Sequence, residues 1–232
     1  MDGAFRDPGI PDGERTVYRG RIGDEDAGRG VLHVRGDGDG RYVQRVEMQL
    51  AEELRYEMEA RFGRRDGALL AEDYRLVTLA RERRIAVEEG SFRDVRALHW
   101  GGKVQPYPRS IVPLLGCAVA LRGLDFERGR RHSFALWLAN TVHWEVELHV
   151  ERRERVSVPA GDFDAWRVRA RPSFREVAGM LDRVVAAVLP PFVLHFGAGT
   201  PHRFLRFSFP TGPFPWNPRG RIEAIELGSE GT

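Results

Sequence analysis

Apolar and polar residues alternate with a period of two over long stretches of the chain. Leu54, Tyr56, Met58, Ala60 and Phe62 are separated by charged neighbours, and Val142, Trp144, Val146, Leu148 and Val150 by charged or polar ones. Successive side chains of an extended strand point to opposite faces, so this alternation predicts strands with one buried and one wet face. Glycine-rich and Pro-Ala-Gly turn signals fall between the periodic stretches. They divide the chain into strands near 16–22, 29–35, 41–50, 53–63, 68–80, 83–89, 93–99, 131–139, 142–151, 154–158 and 163–170, with two more at 202–209 and 220–227. So many strands must close or split into two sheets, because a long open sheet exposes its edges. The fold class expected is mainly β: an antiparallel meander closing into a barrel or half-barrel, with a two-sheet sandwich as the alternative.

One segment carries a different period. Ser173 and Glu176 have the spacing of a capping box, and Val177, Met180, Leu181, Val184, Val185 and Val188 then recur with helical spacing. Pro190-Pro191 stops the run. An amphipathic helix over about 173–189 is therefore expected to pack on or across the β body. Residues 1–14, rich in Gly, Asp and Pro, read as a disordered lead-in. Residues 15–227 read as a single domain and 228–232 as a tail.

Composition narrows the class of partner. The 36 basic residues are interleaved with 34 acidic ones, giving a net charge of +2. That leaves no basic stripe for a nucleic acid. The longest apolar run, Ile111 to Leu121, is too short to span a bilayer. Its Cys117, the single cysteine, cannot form an intramolecular disulfide and reads as a buried, inert thiol. The N-terminus shows no apolar leader core, so the expected location is the cytoplasm, or outside it after loss of a leader.

Leu121-Arg122-Gly123-Leu124-Asp125-Phe126-Glu127-Arg128-Gly129, the stretch Glu154 to Val168 around Pro159-Ala160-Gly161, and the terminal Gly220 to Leu227 resemble an uncharacterised bacterial family, domain of unknown function number 3108. The resemblance implies a β-rich, often exported protein and implies no functional residue. The Pro-Ala-Gly piece also has a plain reading as a turn, with Gly161 supplying positive φ.

Two constellations carry candidate chemistry. His143, Glu145, Glu147 and His149 share one face of a strand, and His and carboxylate are competent metal ligands. Next-but-one neighbours on a strand stand about 6.5–7 Å apart, so a third group from another strand, such as His132 or His99, is needed. Without one, the face is simply the wet side of an amphipathic strand. The second constellation is aromatic. Phe196, Phe204, Phe214 and Trp216, with Trp144, are candidate walls of an apolar pocket, and His195, His202 and Arg206 are candidate polar anchors. The competing reading is core packing. Gly36-Asp37-Gly38-Asp39-Gly40 lacks the later bidentate Glu of a calcium loop and reads as a hairpin turn.

No phosphate loop, dinucleotide fingerprint or nucleophile elbow occurs, and no cofactor is expected. The leading expectation is a lipocalin-like, small-molecule-binding β-barrel with a hydrophobic pocket for an apolar or amphiphilic ligand, acting as a monomer or homodimer and not as an enzyme. The alternatives are a metal-assisted or acid–base enzyme using the His/Glu face, and a structural or protein-interaction domain.

Overall fold

In a computed structural model of the chain, the residues described are 5–36, 41–50, 53–92, 96–98, 104–106, 110–139, 142–172, 191–212, 214 and 216–229. The helix expected over 173–189 and the candidate ligand His99 lie outside them.

The alternating segments form strands. The first half contains β1 (Phe5–Arg6), β2 (Glu14–Ile22), β3 (Glu25–Gly36), β4 (Tyr42–Leu50), β5 (Leu54–Arg65), β6 (Ala68–Ala80), β7 (Arg83–Ser91), β8 (Arg96–Leu98), β9 (Val104–Pro106) and β10 (Ile111–Pro113). The second half contains β11 (Arg131–Ala139), β12 (Val142–Val158), β13 (Gly161–Pro172), β14 (Phe192–Gly197), β15 (Phe204–Pro210) and β16 (Arg219–Ser229). One large sheet runs β1-β6-β5-β4-β3-β2-β16-β15-β14-β13-β12-β11-β10, with β7 on the other part of β6, while β8 and β9 form a separate pair. All neighbours in the large sheet are antiparallel except β10 and β11. The meander is continuous apart from two long-range junctions: β1 pairs with β6 through Phe5↔Leu69, and the last strand β16 pairs with β2 from Gly220↔Ile22 to Ser229↔Glu14.

The sheet curls without closing by hydrogen bonds. Phe134 and Val146 form a cross-strand pair on one face of β11–β12, whereas Trp137, three residues on, belongs to the opposite face of β11. Its indole Nε1 donates to the Tyr74 hydroxyl of β6 at 2.6 Å and to Glu88 Oε1 of β7 at 3.2 Å. The two wings of the sheet thus overlap through side chains, and a half-barrel results. This agrees with the expected barrel or half-barrel.

The apolar run 111–121 fills one end of the half-barrel. After β10 it turns through the short helical segments Leu114–Gly116, Cys117–Ala120 and Leu121–Gly123. Val112, Val119, Ala120 and Leu121 are buried in the same core cluster as Phe62, Val34 and Leu148. Each large side chain sequestered there contributes about 1.5–3 kcal/mol of transfer free energy. Gly123 permits the close crossing, since a Cβ there would stand 2.0 Å from the Arg6 carbonyl oxygen. Burial pushes the Cys117 thiol up to about 12, which leaves it protonated and inert at neutral pH.

Residues 5–14 make several contacts with the β body. Phe5 pairs with Leu69 and its ring meets Phe134 edge-on at 5.9 Å. Ile10 is buried, and its N–H donates to the Tyr42 hydroxyl at 3.2 Å. Asp12 accepts from the Gly36 N–H at 3.0 Å. Two apolar anchors and the aspartates that satisfy backbone and hydroxyl donors outweigh a composition that otherwise favours disorder.

Candidate functional site

The inward face of the half-barrel changes character along its length. At the end marked by Glu14, Tyr42 and Phe62 it is sealed by the 111–123 segment. Buried inside that end is an ion pair: Arg122 Nη1 and Nη2 donate to Glu14 Oε1 and Oε2 at 2.6 and 2.9 Å. Both side chains are 1% exposed. Arg122 Nε donates to the Pro201 carbonyl at 2.7 Å, and Arg203 Nε approaches Glu14 Oε2 at 3.2 Å. The fork of a guanidinium on a carboxylate satisfies both groups in a dry interior. Sequence reading missed this pair, because 108 residues separate its members and neither alternation nor a local motif links them.

At the opposite end, marked by Ile22, the inward face is apolar but only partly covered. Val46, Met48, Tyr56 and Leu76 share the inward face of β4–β6 with the buried Gln44, Ala60 and Tyr74. Phe192, Phe207 and Ile222 occupy the inward face of β14–β16, with Phe192 and Phe207 stacked at 6.1 Å. Trp144 lies on the same side of β12 as the buried Val146 and is half-buried.

The eight residues expected to line one pocket are divided among separate places. Phe196 is fully buried in the core at the sealed end, its ring 5.4 Å from Phe126 and 5.5 Å from Phe204. His202 stands beside them, with its ring 4.3 Å from Phe126 and Nδ1 2.9 Å from the Gly197 carbonyl. His195 and Arg206 pair across β14–β15 on the outward face, where the β12–β13 hairpin covers them. There His195 Nε2 lies 2.8 Å from Glu154 Oε1, and Arg206 Nε lies 2.8 Å from Glu223. Phe214 and Trp216 stack on each other at 4.7 Å on the rim, with Trp216 77% exposed. Only Trp144 belongs to the partly covered apolar face. Phe196 and Phe204 pack on each other, and the Phe204 ring also lies 5.6 Å from Tyr18.

The His/Glu ladder follows the alternation, with Glu145 and Glu147 exposed on the face of β12 opposite Val146. Cross-strand partners are Ala135 for Glu145, Ser133 and Arg171 for Glu147, and Arg131 and Arg169 for His149. His132, the proposed third ligand, pairs with Leu148 on the other face, and its Nε2 lies 3.4 Å from the Asp125 carbonyl. Among the described residues no group of three His, Cys, Asp or Glu comes together. An open groove of about 680 Å³ lies over β4–β7, lined largely by charge. Its cross-strand row Arg45, Glu59, Arg75, Glu89 alternates in sign, with contacts of 2.9 Å between the first two and 3.1 Å between the last two.

Burial holds His195 below the ordinary 6.5, although the hydrogen bond to Glu154 opposes the shift. Burial likewise lowers His202, opposed by its bond to the Gly197 carbonyl. Burial would raise Glu154, but its hydrogen bond with His195 and the nearby Arg167 and Arg152 bring it below 4.5. Both histidines are depressed on folding, so the unfolded chain takes up protons first as pH falls. Their contribution is complete above about pH 6.5 and is lost between there and the folded values. A melting-temperature series should be flat from pH 8 to about pH 7 and fall below about pH 6.5. His195→Gln should flatten the first part of that fall. An unchanged profile in the variant would remove His195 as its source.

No protein-family model matches the chain, and no curated protein does. The resemblance to family 3108 therefore rests on its residues alone. Among the described residues no helix is long and apolar enough to cross a membrane. Solved structures do match. One is a protein described as exported, with a YmcC-like fold, from Bacteroides fragilis (10% identity, TM-score 0.37, 99% of this chain and 100% of that one). Another is described as a lipoprotein, from Parabacteroides distasonis (9% identity, TM-score 0.35, 98% and 100%). A third is a β-barrel-like protein of domain of unknown function DUF1849 from Brucella abortus, at 11% identity and a TM-score of 0.56, covering 98% of this chain and 100% of that one. That last likeness shows the fold alone: the chain has a β-barrel-like architecture.

Proposed function

We propose that this half-barrel is a non-enzymatic binding module for an apolar or amphiphilic small molecule, held against the inward face at the Ile22 end. One observation carries the reading. The inward side chains are sealed at the Glu14 end, yet at the other end Met48, Tyr56, Leu76, Phe192, Phe207 and Ile222 keep apolar surface accessible. Concave apolar surface on a rigid β scaffold favours ligands that exchange water for hydrocarbon contact, and the mouths of β-barrels are a favoured place for it. The packed end supplies the rigidity, so the binding face is largely pre-formed.

The test is titration of delipidated protein with an environment-sensitive anilinonaphthalene probe, followed by competition with a long-chain fatty acid. Saturable binding that the fatty acid displaces is expected. Ile222→Arg places a charge on the inward face and should weaken binding at least about tenfold, a loss of about 1.4 kcal/mol. Glu57→Gln, on the outward face, should leave it unchanged. Non-saturable binding, or equal binding by both variants, would remove the proposal.

A further inference from the structure

Strand β7 is an edge. Among the described residues it has one neighbour, β6, and its other side presents unpaired backbone donors and acceptors over nine residues. Natural edge strands are usually kept short or blunted with lysine or proline, because a long apolar edge recruits another strand. Here the centre of the edge is apolar and open. Ile85 is 61% exposed and Val87 44% exposed, and a bulge between Thr78 and Leu79 leaves Ile85 without an opposite number on β6.

The flanking charges are antisymmetric. Arg83 and Arg84 precede Ile85-Ala86-Val87, and Glu88 and Glu89 follow it. Among the described residues Arg83 and Arg84 have no carboxylate within ion-pair distance, whereas Glu89 ends the alternating row Arg45, Glu59, Arg75, Glu89 at the edge itself. A second β7 laid parallel and in register would set arginine on arginine and glutamate on glutamate. Laid antiparallel about Ala86, it sets the basic end of each copy against the acidic end of the other, with Ile85 and Val87 of both in the middle. A strand with this pattern is complementary to itself in one orientation only.

We propose that β7 is a homodimer interface, at which two copies of this chain pair edge to edge and antiparallel about Ala86, joining their sheets. The pairing satisfies the open backbone groups, covers Ile85 and Val87, and continues the alternating charge row into the second copy. It is independent of ligand binding, because Val87 and Glu89 share the outward face of the sheet with Val77 and Arg75.

Charge reversal tests it. Wild-type protein should sediment as a dimer at about 100 μM, near the concentrations at which modest interfaces assemble. Arg83→Glu and Glu89→Arg each set like charges together at both symmetry-related ends, because Arg83 of one copy opposes Glu89 of the other, and each alone should weaken dimerisation at least about tenfold. An equimolar mixture of the two variants restores opposite charges at both ends and should sediment as a heterodimer, a recovery that misfolded chains cannot give. If either reversal unfolds the chain, Val87→Lys replaces it and should give a folded monomer. A monomeric wild type, variants that dimerise as well as wild type, or a mixture that stays monomeric would each overturn the proposal.

Discussion

Replacing Glu14 by alanine should destabilise the fold by about 3–5 kcal/mol, because it strands the Arg122 guanidinium in a dry interior without its counter-charge. For a chain of this size the melting temperature should fall by about 6–20 °C. The cause is the asymmetry of buried charge. A paired carboxylate and guanidinium nearly offset their desolvation, whereas a lone buried ion does not. Arg203 at 3.2 Å cannot compensate, since it is itself a cation turned toward the same carboxylate. The double variant Glu14→Gln, Arg122→Met removes both charges and should recover a large part of the loss. Calorimetry of the single and double variants checks this, and a loss below about 1 kcal/mol for Glu14→Ala would show that water reaches the pair.

Phe196→Ala should cost a similar amount, about 3–5 kcal/mol, and should leave probe affinity unchanged in the protein that remains folded. Its ring is fully buried against Phe126 and Phe204, so truncation opens a cavity that neighbours anchored by β13 and β15 cannot fill. The result separates packing from recognition at a residue whose aromatic surroundings in sequence suggest a pocket wall. A loss of probe affinity with an unchanged melting temperature would return Phe196 to the binding face.

Alternation made most of the fold legible. The strand expected at 68–80 and the one expected at 131–139 have those same bounds in the structure. It failed where its physical basis fails. Strand β14, Phe-Val-Leu-His-Phe-Gly, is buried on both faces, so no period of two appears and the segment reads as an aromatic cluster. The three residues of β10 are likewise buried on both faces. Strand β12 was expected as two strands, 142–151 and 154–158, because a bulge between Val150 and Arg152 shifts the alternation by one within a continuous strand. The same shift turns Glu154 toward His195.

The candidate site was less legible for a related reason. Alternation says which side chains share a face, but not how far along that face a plug reaches. The apolar run 111–121 announces burial without announcing that it seals one end and leaves Met48, Tyr56 and Leu76 at the other. The aromatic count near 192–216 pointed instead to residues that the curled sheet distributes among core, outward face and rim.

The proposed binding face is the apolar inward surface at the Ile22 end of a half-barrel closed at its Glu14 end. Methyl-labelled NMR during titration with a fatty acid tests it most directly. Shifts are expected to concentrate at Met48, Leu54, Leu76 and Ile222, with Leu69, Leu121 and Leu124 unmoved. Shifts confined to the latter group, or no shifts at saturating fatty acid, would contradict it.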